Sequence, residues 1–188
     1  MTALWIFLIV LAIAGGFIAL TYNTLIARKN QIDYAQGAID ALLKKRYDLI
    51  PNLVATVKGY AKHERELLEK VTELRSRIGQ AKDDDERLGL EGQMSGLLGR
   101  LLVQLEAYPD LKANQNFLQL QAALNEIEEQ ISAARRAFNA AVVEFNNAIE
   151  MFPSNLVAGW MGLKRRKVFE VEESESAAPN VADLFGNA

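Results

Sequence analysis

The sequence predicts an all-α chain: an N-terminal transmembrane helix followed by an antiparallel four-helix bundle of long helices. Three observations carry that expectation. Residues Ala3 to Tyr22 contain no charged side chain, and apolar residues recur at three- and four-residue spacing through most of the remaining chain. Pro51, Pro109 and Pro153 punctuate that pattern, and no segment alternates as a strand would.

The apolar run comes first. A hydrocarbon core is about 30 Å thick, and about 20 helical residues cross it. Trp5 and Tyr22 bracket the run. They lie about 26 Å apart at about 1.5 Å per residue, the spacing of interfacial aromatics. A cleaved signal peptide would need a basic start, and only Met1, Thr2 and Ala3 precede the run. Ala12-Ile13-Ala14, the best small-residue cleavage site, falls in mid-run, so a retained helix over 3–22 is expected. The chain has no cysteine, which rules out a lipoprotein anchor. Arg28 and Lys29 follow the span while no Lys or Arg precedes it, which orients the N-terminus outside and the large domain in the cytoplasm.

A bundle is expected over 23–152. Its first helix, about 23–47, carries Leu25, Ile32, Ala35, Ile39 and Leu42 on one stripe. Asp48 suits an N-cap with Pro51 in the first turn of the next helix, about 49–81. That helix repeats the device with Ile50, Leu53, Val57, Tyr60, Leu67, Val71, Leu74 and Ile78. Asp83, Asp84 and Asp85 then suit the start of a third helix, about 86–107, apolar through Leu90, Met94, Leu97, Leu98, Leu101 and Leu105. The fourth, about 114–152, has the clearest period. Phe117, Leu124, Ile131, Phe138, Phe145 and Phe152 stand seven apart, and Leu120, Ile127, Ala134, Ala141 and Ala148 fill the intervals. That is the seam of a left-handed bundle. Four helices alternating in direction bring Phe152 back to the lipid surface.

The segment 153–169 therefore draws interest, as an interfacial or bundle-packed basic element. Trp160 and its apolar neighbours precede Lys164, Arg165, Arg166 and Lys167, a combination that suits an anionic headgroup layer. Gly89, Gly92, Gly96 and Gly99 form one stripe of the third helix, a smooth face for close approach of a second copy. Each costs about 1 kcal/mol against alanine inside a helix. The acidic tail, 170–188, has a composition that predicts disorder, with Val181 and Phe185 as a small docking element.

Catalysis finds no support. His63-Glu64 starts like a zinc-protease motif, but Leu67 replaces the second histidine, and His63 is the chain's one histidine. No metal, cofactor or catalytic residue is assigned. Glu64, on the seam, is expected either to pair with a basic residue such as Arg46, Lys58 or Arg135, or to be released from the seam by rotation of its helix. A net charge of −3 gives no bulk attraction to nucleic acid.

Several strings together resemble the LemA family. They are Tyr22-Asn23, Arg46 to Val54, Val57 to Ala61 with His63-Glu64, Tyr108 to Asn114, Phe117 to Gln121, Ala134-Arg135-Arg136 with Asn139, and Phe152 to Leu156. The resemblance covers nearly the whole chain. Phe138 and Phe145 stand where the family often has tyrosine, which puts any role for those hydroxyls in doubt. The resemblance implies a bacterial envelope protein with one span, placed in the inner membrane, and a helical domain. It carries over no catalytic residues. It also implies candidate partners, since relatives are often encoded beside HtpX-like membrane proteases or TPM-domain proteins, and some are linked to building internal membranes. The expected function is a non-enzymatic, membrane-anchored scaffold that self-associates on a lipid bilayer. The alternative is an adaptor of a membrane protease.

Overall fold

A computed structural model describes residues 1–60, 64–81 and 84–169. The fold is all-α, with no strand among the described residues. The elements are α1 (Thr2–Lys58), α2 (Arg65–Ile78), α3 (Asp84–Leu105), α4 (Pro109–Lys112), α5 (Gln115–Glu150) and α6 (Ser154–Trp160). His63 and the acidic tail 170–188 lie outside the described residues.

The break expected at Asp48 does not occur. α1 runs on through Pro51 to Lys58, so the proline sits inside a helix. Pro51 lacks one backbone donor and crowds the carbonyl of Tyr47, at a cost of about 3 kcal/mol. What offsets this is an unbroken stripe. Leu43, Arg46, Ile50, Leu53 and Val57 keep the 3-4 spacing across the supposed boundary, and all are buried. A turn at Asp48 would rotate the second half of that stripe off the core.

The chain forms two compact units, Gln36–Ala134 and Met1–Ala35 with Arg135–Ala188. In the first, one apolar core takes Ile50, Leu53 and Val57 from α1 and Leu68, Val71, Leu74 and Ile78 from α2. α3 adds Leu90, Met94, Leu98, Leu101 and Leu105, α4 adds Leu111, and α5 adds Phe117 and Leu124. The turn into α5 is capped by Asn114, whose Oδ1 accepts the backbone N–H of Asn116 at 2.9 Å and of Phe117 at 3.2 Å. Pro109 opens α4 from a first-turn position, where its missing donor costs nothing.

In the second unit, α1 and α5 run antiparallel. Ile32 packs with Ala141, Val142 and Phe145. Nearer the N-terminus, Arg28 pairs with Glu144, and Leu25 lies in a cluster with Ala148, Ile149, Val157 and Ala158. Phe152 departs from its expected seam position and is 79% exposed. The reason is that α5 ends at Glu150 and the chain turns through Met151–Pro153 into α6, so the heptad frame lapses before Phe152 arrives.

Candidate functional site

The second unit holds the feature that looks least like an ordinary protein surface. Residues Thr2 to Leu20 of α1 are all exposed, including Trp5 at 66%, and this helix has a stretch long and apolar enough to cross a membrane. Tyr22, at the end of the apolar run, is also exposed. α6 folds back against this helix. Val157 and Ala158 are buried beside Leu25, while Leu156 and Trp160 point outward at 66% and 78% exposure. Met151 and Phe152, in the preceding turn, are exposed as well. Soluble surfaces rarely gather large apolar groups into one patch.

A groove of about 460 Å³ opens between Ala14, Phe17 and Ile18 of α1 and Leu156, Val157 and Trp160 of α6. Its walls are almost wholly carbon. The contacts set the depth of α6: it spans the level of residues 14 to 25 of α1, overlapping the last two turns of the apolar run.

After α6 the chain reverses at Gly162, whose φ of 65° is a conformation that L side chains rarely adopt. Leu163 plugs back between α1 and α5, and an extended strap then runs along α5. Two asparagines hold it. The Asn146 side-chain amide donates to the Arg166 carbonyl and its oxygen accepts the Arg166 N–H, both at 2.9 Å. Asn139 repeats this on Phe169, donating at 3.0 Å and accepting at 2.8 Å. Two helical turns, about 10.5 Å, match three extended residues at about 3.3 Å each, so the two registers fit. Phe169 closes on Phe138 with ring centroids 4.5 Å apart. Lys164, Arg165, Arg166 and Lys167 are all exposed on this strap. Arg165 bridges to Glu150, the last residue of α5, at 3.1 Å.

Sequence reasoning had the basic run and Trp160, and the structure brings both to the end of the apolar span. It missed the paired asparagines, although Asn139 and Asn146, seven residues apart and each following a seam phenylalanine of α5, were a visible signal.

The glycine stripe belongs to the other unit. Gly96 and Gly99 are exposed and line a shallow groove of about 430 Å³ with Arg100, Val103 and Gln104. Gly89 and Gly92 are half-buried, so the smooth face is shorter than its spacing suggests.

That unit also encloses a charged cluster. Arg46 is fully buried. It pairs with Glu91, itself 1% exposed, and donates to Glu128 Oε1 and Ser95 Oγ, each at 2.7 Å. Ser95 in turn donates to Glu128 Oε2 at 3.1 Å. A paired cluster of this kind joins α1, α3 and α5 and sets their register. The expected partners of Glu64 are corrected here: its Oε1 accepts the Tyr108 hydroxyl at 3.2 Å. Burial and the Glu64 carboxylate together push the Tyr108 phenol up from its ordinary value. Arg46 is engaged instead by Glu91 and Glu128.

Known proteins resemble this chain in sequence. The LemA family profile matches residues 35–182. Protein LemA of Metamycoplasma hominis is 31% identical over 163 residues, which cover 86% of this chain and 74% of that one. Magnetosome proteins MamQ 1 and MamQ 2 of Paramagnetospirillum magneticum are each 24% identical over 190 residues, covering 87% of this chain and 70% of theirs.

Proposed function

The chain belongs to the LemA family, and we propose that it works as a non-enzymatic, membrane-anchored scaffold that self-associates and organises a patch of membrane or a neighbouring membrane protein. The observation that carries this reading is the apolar face of α6 set beside the end of the apolar span. Leu156 and Trp160 extend the lipid-facing surface of α1 sideways, and the basic strap lies next to it. One span alone tethers a domain. A span with a second apolar helix at the same depth fixes the domain's tilt and height, which suits repeated, ordered packing.

The site of action on this reading is the bacterial inner membrane, with the N-terminus outside and the helical domain cytoplasmic. Lys29 and the strap cations Lys164, Arg166 and Lys167 then face the anionic leaflet, where each is worth about 1 kcal/mol. Copies meet through the exposed part of the glycine face, Gly96 and Gly99, where an added Cβ would find open space within 4 Å. The relatives named as magnetosome proteins agree with the internal-membrane role that the family resemblance implies.

Mass measurement of the full-length protein in lipid nanodiscs tests the proposal. A single large species of defined copy number is expected, reduced in mass by Gly96→Leu with Gly99→Leu. A monomer in wild type refutes self-association and leaves the adaptor of a membrane protease as the reading to pursue.

A further inference from the structure

We infer that the groove between α1 and α6 is a phospholipid site: it takes one acyl chain of an anionic lipid whose headgroup meets Lys164, Arg166 and Lys167. This rests on the membrane-seated reading above and adds a ligand to it. Almost no polar atom lines the groove, so water entering it finds no hydrogen-bond partner. Its occupant is therefore apolar. Ala14 precedes Tyr22 by eight residues, about 12 Å along the helix, and one leaflet is about 15 Å deep. Its α1 wall, from Ala14 to Ile18, lies about 6–12 Å below Tyr22, so the groove takes the lower part of an acyl chain whose headgroup sits at the interface.

The strap that follows Trp160 supplies charge. Arg165 is engaged by Glu150, whereas Lys164, Arg166 and Lys167 have no acidic partner among the described residues. Arg166 is held in place through its backbone by Asn146, so the cation is presented on a fixed strap rather than a free tail. A second copy docking through the same face would bring its own basic run against this one, a like-charge contact. An anionic lipid answers both the apolar wall and the cationic rim.

The test places full-length protein in phosphatidylcholine nanodiscs doped with phosphatidylglycerol that carries a diazirine in one acyl chain. A parallel set carries the same tail on phosphatidylcholine. After illumination, peptide mass spectrometry maps the adducts. They are expected on the segments containing Ala14–Ile18 and Leu156–Trp160, with an excess for the anionic probe on the order of tenfold. Ala14→Phe fills the groove and should remove them. Lys164→Glu with Lys167→Glu should keep the chain embedded and abolish the excess. Adducts spread evenly around the apolar run, or products joining two copies through Trp160, overturn the inference and leave membrane seating intact. A chain that remains outside the disc overturns the membrane reading itself. If Ala14→Phe fails to fold by circular dichroism, the wild-type adduct map and the charge variant decide.

Discussion

Arg46 shows how much depends on a single side chain. It is wholly enclosed, between one carboxylate that is also buried and another that is partly exposed. Removing it strands Glu91 in the core without its guanidinium partner. Arg46→Met is therefore expected to cost about 3–5 kcal/mol in urea unfolding. Adding Glu91→Gln should recover part of the loss, because the buried carboxylate that lost its guanidinium is then replaced by a neutral amide. A cost below about 1 kcal/mol for the single variant would mean that the cluster is not holding the helices in register. The sequence identified Arg46 as an ion-pair candidate, though for Glu64. The supposed break at Asp48 hid the true partners, since it placed Arg46 at the end of one helix instead of in the middle of a continuous stripe. The hydroxyl of Tyr108, which takes up Glu64, lies 44 residues away in the chain, beyond the reach of any local pattern.

Among the elements, the strap from Lys164 to Phe169 has no helix or ladder of its own. Its order comes from Asn139 and Asn146, four hydrogen bonds in all, with Phe138 and Phe169 closing one end. Asn139→Ala with Asn146→Ala is expected to release it without unfolding α5. Trypsin would then cut at Lys164–Lys167 at least about tenfold faster, as a local opening free energy drops by about 1.4 kcal/mol or more, while the main melting transition stays put. Unchanged cleavage would show that Leu163 and Phe169 suffice to pin the strap. Helix identity was largely legible beforehand: the seven-residue repeat from Phe117 to Phe145 forecast α5 closely, and the spacing of Leu90 to Leu105 forecast α3. Boundaries were less so. A proline reads as a stop from sequence alone, and only the packing of Ile50, Leu53 and Val57 shows why the helix tolerates Pro51.

For the molecule as a whole, the governing feature is the return of α5 and α6 to the apolar span. Alternating helix directions forecast that return, and the Leu25 cluster of Ile149, Val157 and Ala158 displays it within one unit. What composition concealed was depth. A stretch with Trp160 beside four cations suggests a helix lying on the headgroups, whereas the groove with Ala14, Phe17 and Ile18 sets α6 lower, level with the span itself. Both the scaffold and the lipid site depend on that depth, and Trp160 reports it directly. In the Trp5→Phe protein Trp160 is the sole tryptophan. Reconstituted in nanodiscs, its emission is expected to be blue-shifted, quenched by lipids brominated on their acyl chains, and insensitive to aqueous iodide. Emission quenched by iodide and untouched by brominated lipid would place α6 in water and remove the basis of both.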